Sequence, residues 1–127
     1  MTAQDNEPTT VGLSDAAHAQ LKSLKDREYF AEMADAYRFA IGLALAHGVA
    51  PGPVAGSRQT IFNVGTLDPD RLIHLAVATL REPTDEPVYR SAERLAEWGV
   101  VELSRRADTG TLSLAEVLAE ADALTRS

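Results

Sequence analysis

A chain of 127 residues, 45% of them hydrophobic and 24% charged, is long enough to close one core and too short for two typical ones. With 19 Asp+Glu against 12 Lys+Arg the formal charge is -7 and the pI about 4.8, which opposes non-specific attraction to a phosphate backbone; a nucleic-acid role needs a local basic face. Zero cysteines exclude disulfides, thiolate metal sites and cysteine nucleophiles, and no apolar run approaches the ~20 residues that span a bilayer.

The opening MTAQDNEPTT lacks the basic and apolar regions of a signal peptide, so a cytoplasmic location is the expectation. Residues 1–8 are polar and carry too little apolar area to offset the entropy of ordering them; they are expected to form a frayed tail before a single helical domain at 9–127. Thr10, Val11, Gly12 and Leu13 alternate weakly, which reads as a short strand, with Val11 and Leu13 on one face and Ser14 after them as an N-cap. No second convincing strand follows, so the same strand of another subunit is a candidate partner.

Asp15–Asp26 places Ala17, Leu21 and Leu24 at helical spacing and leaves Gln20, Lys22, Lys25 and Asp26 to solvent. The link Arg27-Glu28-Tyr29-Phe30 holds no Gly or Pro. The second helix has its centre at Ala36–Ala46, where Arg38 is the only charge; a guanidinium on so apolar a helix needs a partner if buried, and Asp35 lies at i−3. Ala40, Gly42, Ala44 and Ala46 keep this helix thin enough for another backbone to approach, and His47-Gly48 ends it.

The loop VAPGPVAGS at 49–57 leads to RQTIFNVGTL, read as an ordered crossover with a short extended piece at Thr60–Phe62. Asp68-Pro69 is a helix-start signal, and the helix predicted from it to Arg81 turns Leu72, Ile73, Ala76, Val77 and Leu80 inward. Glu82–Pro87 stops it. From Val88 to Arg106 a fourth helix repeats apolar residues through Ala92, Leu95, Ala96, Gly99, Val100 and Leu103, where Gly99 marks a close crossing or a slight break; Arg90, Arg94, Arg105 and Arg106 alternate with Glu93, Glu97 and Glu102 as a solvated face. Ser113 and Glu116 form a capping box for a last helix with Leu114, Val117, Leu118, Ala121 and Leu124 on one face.

No catalytic motif emerges. His18, His47 and His74 sit on separate helices without a second ligand at metal spacing, and no Gly-Lys pair or phosphate loop occurs. No enzyme activity, cofactor or metal is expected. The fold class expected is all-α, about five helices behind a short N-terminal strand, in a homo-oligomer joined through that strand and the first two helices.

The strand, the leucine-lysine helix and the apolar second helix (VGLS at 11–14, LKSLK at 21–25, YRFAIGLAL at 37–45) resemble the ribbon-helix-helix unit of small dimeric DNA-binding proteins, in which paired strands enter the major groove. The positions that would face outward, Thr10 and Gly12, carry no long donor. A second resemblance spans Leu13 to Arg106: LKSLK, YRFAIGLAL, the loop bearing Phe62, Asn63, Thr66 and Leu67, and the late Gly99, Val100 and Leu103 are similar to the small E component of the Dnd DNA phosphorothioation system. That resemblance implies a compact helical oligomer, a non-enzymatic accessory to DNA modification or defence, with protein subunits as partners and DNA contact through lysines, here Lys22 and Lys25. The alternatives are a protein-protein adaptor that never touches DNA, anchored by Tyr29, Phe30 and Trp98, and a ribbon-helix-helix regulator; on the adaptor reading the two lysines are only a solvated helix face.

Overall fold

The structure is a computed structural model that describes residues 7–54, 56, 58–110 and 112–126. Strand β1 (Thr10–Ser14) leads directly into α1 (Asp15–Asp26), followed by α2 (Met33–Ala46), β2 (Arg58–Asn63), the single turn α3 (Val64–Leu67), α4 (Leu72–Leu80), the long α5 (Val88–Asp108) and α6 (Leu114–Arg126). The described residues are mostly helical, with one two-stranded antiparallel sheet, so the class is not strictly all-α. None of their helices is long and apolar enough to cross a membrane.

Local sequence accounts for several boundaries. Ser14 accepts from the Ala17 amide and starts α1 where expected. Gly48, at φ +65°, ends α2; its amide reaches the Leu45 carbonyl and Val49 reaches back to Ala44, a left-handed cap that satisfies two orphan carbonyls. The end of α1 has the same geometry without glycine. Glu28 takes the left-handed position at φ 66°, with Glu28 N–H on Lys25 and Tyr29 N–H on Leu24, which explains how a link lacking Gly and Pro still turns.

The sheet corrects the expectation that β1 lacks a partner within the chain. Val11 pairs with Phe62 and Gly12 with Thr60, leaving Ile61 as a bulge, and the extended piece at Thr60–Phe62 proves to be the middle of β2. Gly12 is required there, because a Cβ on it would lie 1.8 Å from the Gln59 carbonyl oxygen. The expected tail at 1–8 is described only at Glu7 and Pro8, residues 1–6 lying outside the described residues. Glu7 is held: its carboxylate accepts from the amides of Val88 and Tyr89 and caps α5.

The helix foreseen from Asp68 starts at Leu72 instead, because Asp68 closes α3 and Arg71 turns through the left-handed region at φ 60°. Asp68 still caps it from a distance, accepting from the amides of Ile73 and His74 while Tyr89 Oη donates to it at 2.8 Å. The expected inward face fails in part. Val77 is fully buried and Ile73 packs against the core, but Leu72 and Leu80 are exposed. On α6, Val117 is buried whereas Leu118 and Leu124 are exposed.

Helix α5 is the axis of the core. Ala92, Leu95, Ala96, Val100 and Leu103 pack against α1, α2, α4 and β1, and Gly99 lies against the backbone of Ala40 so closely that an added Cβ would sit 2.2 Å from its carbonyl oxygen. The thin-helix reading holds at Ala40. At Gly42 it does not: that position is exposed with open space around it.

Gly99→Ala is therefore expected to destabilise the protein by about 1–3 kcal/mol, as overpacking does, while Gly42→Ala should be neutral or stabilise by up to ~1 kcal/mol through helix propensity. Urea denaturation of the two variants beside the parent checks both.

Candidate functional site

The strand singled out by sequence, Thr10–Leu13, is enclosed on both edges. One edge pairs with β2. On the other, the Gly12 amide donates to Glu93 Oε2 at 2.7 Å, the Ser14 amide to Glu97 Oε1 at 3.0 Å and the Ser14 hydroxyl to Glu97 Oε2 at 2.6 Å, while Tyr37 Oη donates to the Gly12 carbonyl at 3.0 Å. Side chains of α2 and α5 thus take the place of a neighbouring strand. Pairing Thr10–Leu13 across a two-fold axis, as a ribbon-helix-helix dimer does, would first have to displace these carboxylates, and Gly12 is buried where that unit would present a base-reading side chain.

Glu93 is buried and is the least expected member of this arrangement. Besides Gly12 its Oε2 accepts from Arg58 at 2.6 Å and from Arg90 at 2.9 Å. The alternating charges of α5 read as a solvated face; instead Glu93 and Glu97, one turn apart, point at the strand. Burial, then the nearby Glu93 and Glu97 charges, push the Tyr37 hydroxyl well above its ordinary range and keep it a neutral donor. Tyr89 is raised too, by burial and then by its bond to Asp68.

Arg38 is half-exposed, not a buried charge. It pairs with Asp35 at 3.0 Å as its spacing suggested, and its Nε donates to the Leu67 carbonyl at 2.8 Å, so it ties α2 to the end of α3. Lys22 and Lys25 are exposed, without an ion-pair partner among the described residues. They flank a shallow hollow of about 400 Å³ whose wall includes Asp26, Glu32 and Phe62. The hollow is mixed in charge.

The remaining arginines of α5 are engaged. Arg94 pairs with Glu86, and Arg105 and Arg106 share Glu102, Arg106 also reaching Glu120 of α6 at 3.0 Å. His47 closes that cluster at 2.6 Å from Glu120; His18 lies 2.7 Å from Gln59, and His74 packs edge-on against Tyr89. No group of three His, Asp or Glu able to hold a metal occurs among the described residues. Of the aromatic anchors proposed for an adaptor, Phe30 is buried against Phe39, Tyr29 lies under Arg27 and Trp98 packs beside His47.

Two surface features were missed by sequence reasoning. The outer face of α4 exposes Leu72 at 62%, Leu75 at 62% and Leu80 at 64%. At its C-terminal end a cleft of about 260 Å³ opens between the 49–51 loop and the 82–86 loop, with Leu45, Val49 and Leu95 among its apolar lining. The signal for the first was present: LIHLAVATL holds no charge at all, more apolar surface than one packing face uses.

Hydrogen bonds from Arg105 and then Arg106 outweigh burial and hold Glu102 at about 2, and Arg106 and then His47 lower Glu120 as well. Since both native values lie below the ordinary 4.5, the unfolded chain takes up these protons first on acidification. The stabilisation is complete above pH ~4.5 and is lost as pH falls toward 2. Thermal melts between pH 6 and 2.5 should show a midpoint that declines more shallowly in a Glu102→Gln/Glu120→Gln variant than in the parent.

Comparison with protein-family models, with curated proteins and with solved structures returned no match for this chain.

Proposed function

We propose that the protein is a non-enzymatic assembly subunit that works through its surface as a homo-oligomer and with other protein subunits. The observation that carries this is the uncharged leucine face of α4, three large apolar side chains each more than 60% exposed on one helix. The charged and polar groups of the interior support the same reading, because Glu93, Glu97, Tyr37, Asp68 and Tyr89 are spent on holding a strand edge and a helix start. The resemblance to the small E component of the Dnd system supplies the setting, a bacterial DNA phosphorothioate modification or defence assembly, and Lys22 and Lys25 are the candidate DNA contacts.

The adaptor that never meets DNA is the second reading. It is favoured by the hollow beside those lysines, whose lining also holds Asp26 and Glu32, and by the charge of -7.

Fluorescence anisotropy with intact and nicked duplex at two salt concentrations separates the readings. A DNA-contact subunit binds with an affinity that falls as salt rises, and Lys22→Glu/Lys25→Glu lowers it at least tenfold while flattening the salt dependence. Absence of binding by the folded parent, or binding indifferent to both lysines, overturns the DNA contact and leaves the adaptor.

A further inference from the structure

We infer that the outer face of α4 is a self-complementary dimer interface, with two copies packed antiparallel across a two-fold axis. This rests only on the homo-oligomer part of the function proposed above and moves the joint from the strand and first helices to α4. The strand cannot serve as that joint without losing its Glu93 and Glu97 bonds, whereas the α4 face is free.

Self-complementarity follows from what stands at the two ends of this helix. Its N-terminal end presents a knob, Leu72, with Leu75 one turn on; its C-terminal end presents a hole, the 260 Å³ cleft whose rim is Leu80 and whose apolar lining includes Leu45, Val49 and Leu95. Leu72 and Leu80 are about 12 Å apart along the axis. Antiparallel pairing sets the knob of each copy at the hole of the other, and a two-fold axis makes both contacts at once.

Charge agrees with the same seating. Arg71, beside the knob, and Glu82, on the wall of the cleft, are both exposed, and neither has an ion-pair partner among the described residues. Antiparallel packing brings Arg71 of one copy to Glu82 of the other, twice. Arg81 does not oppose this, because its guanidinium is turned inward onto the Glu86 carbonyl and the Ser91 hydroxyl. Between the ends, Leu72–Leu80 carries no Asp, Glu, Lys or Arg; Asp70, whose carboxylate accepts from the Leu72 amide at 3.2 Å, stands with Arg71 at the knob. One nine-residue helix and one cleft make a small interface, which places the association among the weak, reversible ones and not among obligate dimers.

The test is sedimentation equilibrium of the full chain from about 1 to 500 µM, with circular dichroism to confirm that each variant remains folded. The parent is expected to pass from monomer to dimer across that range. Leu72→Glu, at an exposed position, and Ala50→Trp, which plugs the cleft and leaves every residue of α4 unchanged, should each weaken the dimer at least tenfold. Arg71→Glu and Glu82→Arg should weaken it several-fold singly and restore it together. A parent that stays monomeric at 500 µM overturns both this interface and the homo-oligomer. A dimer indifferent to Leu72→Glu and Ala50→Trp overturns this interface alone, and failure of the double charge reversal to restore association overturns the antiparallel seating.

Discussion

The structure depends on a buried carboxylate that closes a strand edge. A strand in a two-stranded sheet has one row of amides and carbonyls with no partner, and in a core those groups must be satisfied. Here Glu93 takes the Gly12 amide, Glu97 the Ser14 amide and Tyr37 the Gly12 carbonyl, so helices complete the sheet. Glu93 in turn is a charge taken out of water, and Arg58 and Arg90 are what make its burial tolerable. One carboxylate thereby links β1, β2 and α5, elements far apart in sequence.

Around that link the helices are fixed by steric detail. Gly99 lets α5 meet α2 backbone to backbone at Ala40, which brings Glu93 and Tyr37 to the strand from two sides. At the far end of α5, Arg106 and Glu120 draw α6 against it, with His47 of α2 as the third member. The polar groups named here thus hold elements of the fold to one another.

The legibility of the elements followed the strength of their local signals. Helix α1 matched its predicted span because a capping serine, the two helical spacings of Ala17, Leu21 and Leu24 and a polar face agreed; the end of α2 and the capping serine of α6 were readable for the same reason. The start of α4 was misplaced, since Asp68 does cap that helix but through a side chain reaching amides five and six residues on, a geometry no short motif encodes. The partner of β1 was missed because RQTIFN alternates poorly: only Ile61 and Phe62 are even partly buried, and the bulge breaks the period.

Candidate residues divided in the same way. Arg38 with Asp35 was legible because both lie on one helix turn, and Lys22 and Lys25 were legible as exposed. Glu93 was not: in sequence it is one of several alternating charges on α5, and only the packing of β1 against that turn separates it from Glu102 on the same helix. What the sequence by itself determined is therefore the periodic content, namely the longer helices, their main caps and the acidic balance, because these depend on composition and on neighbours within a few residues. The tertiary structure alone decided which strand edge is closed, which carboxylate is buried and which leucines of α4 remain outside, because each depends on a surface supplied by an element elsewhere in the chain.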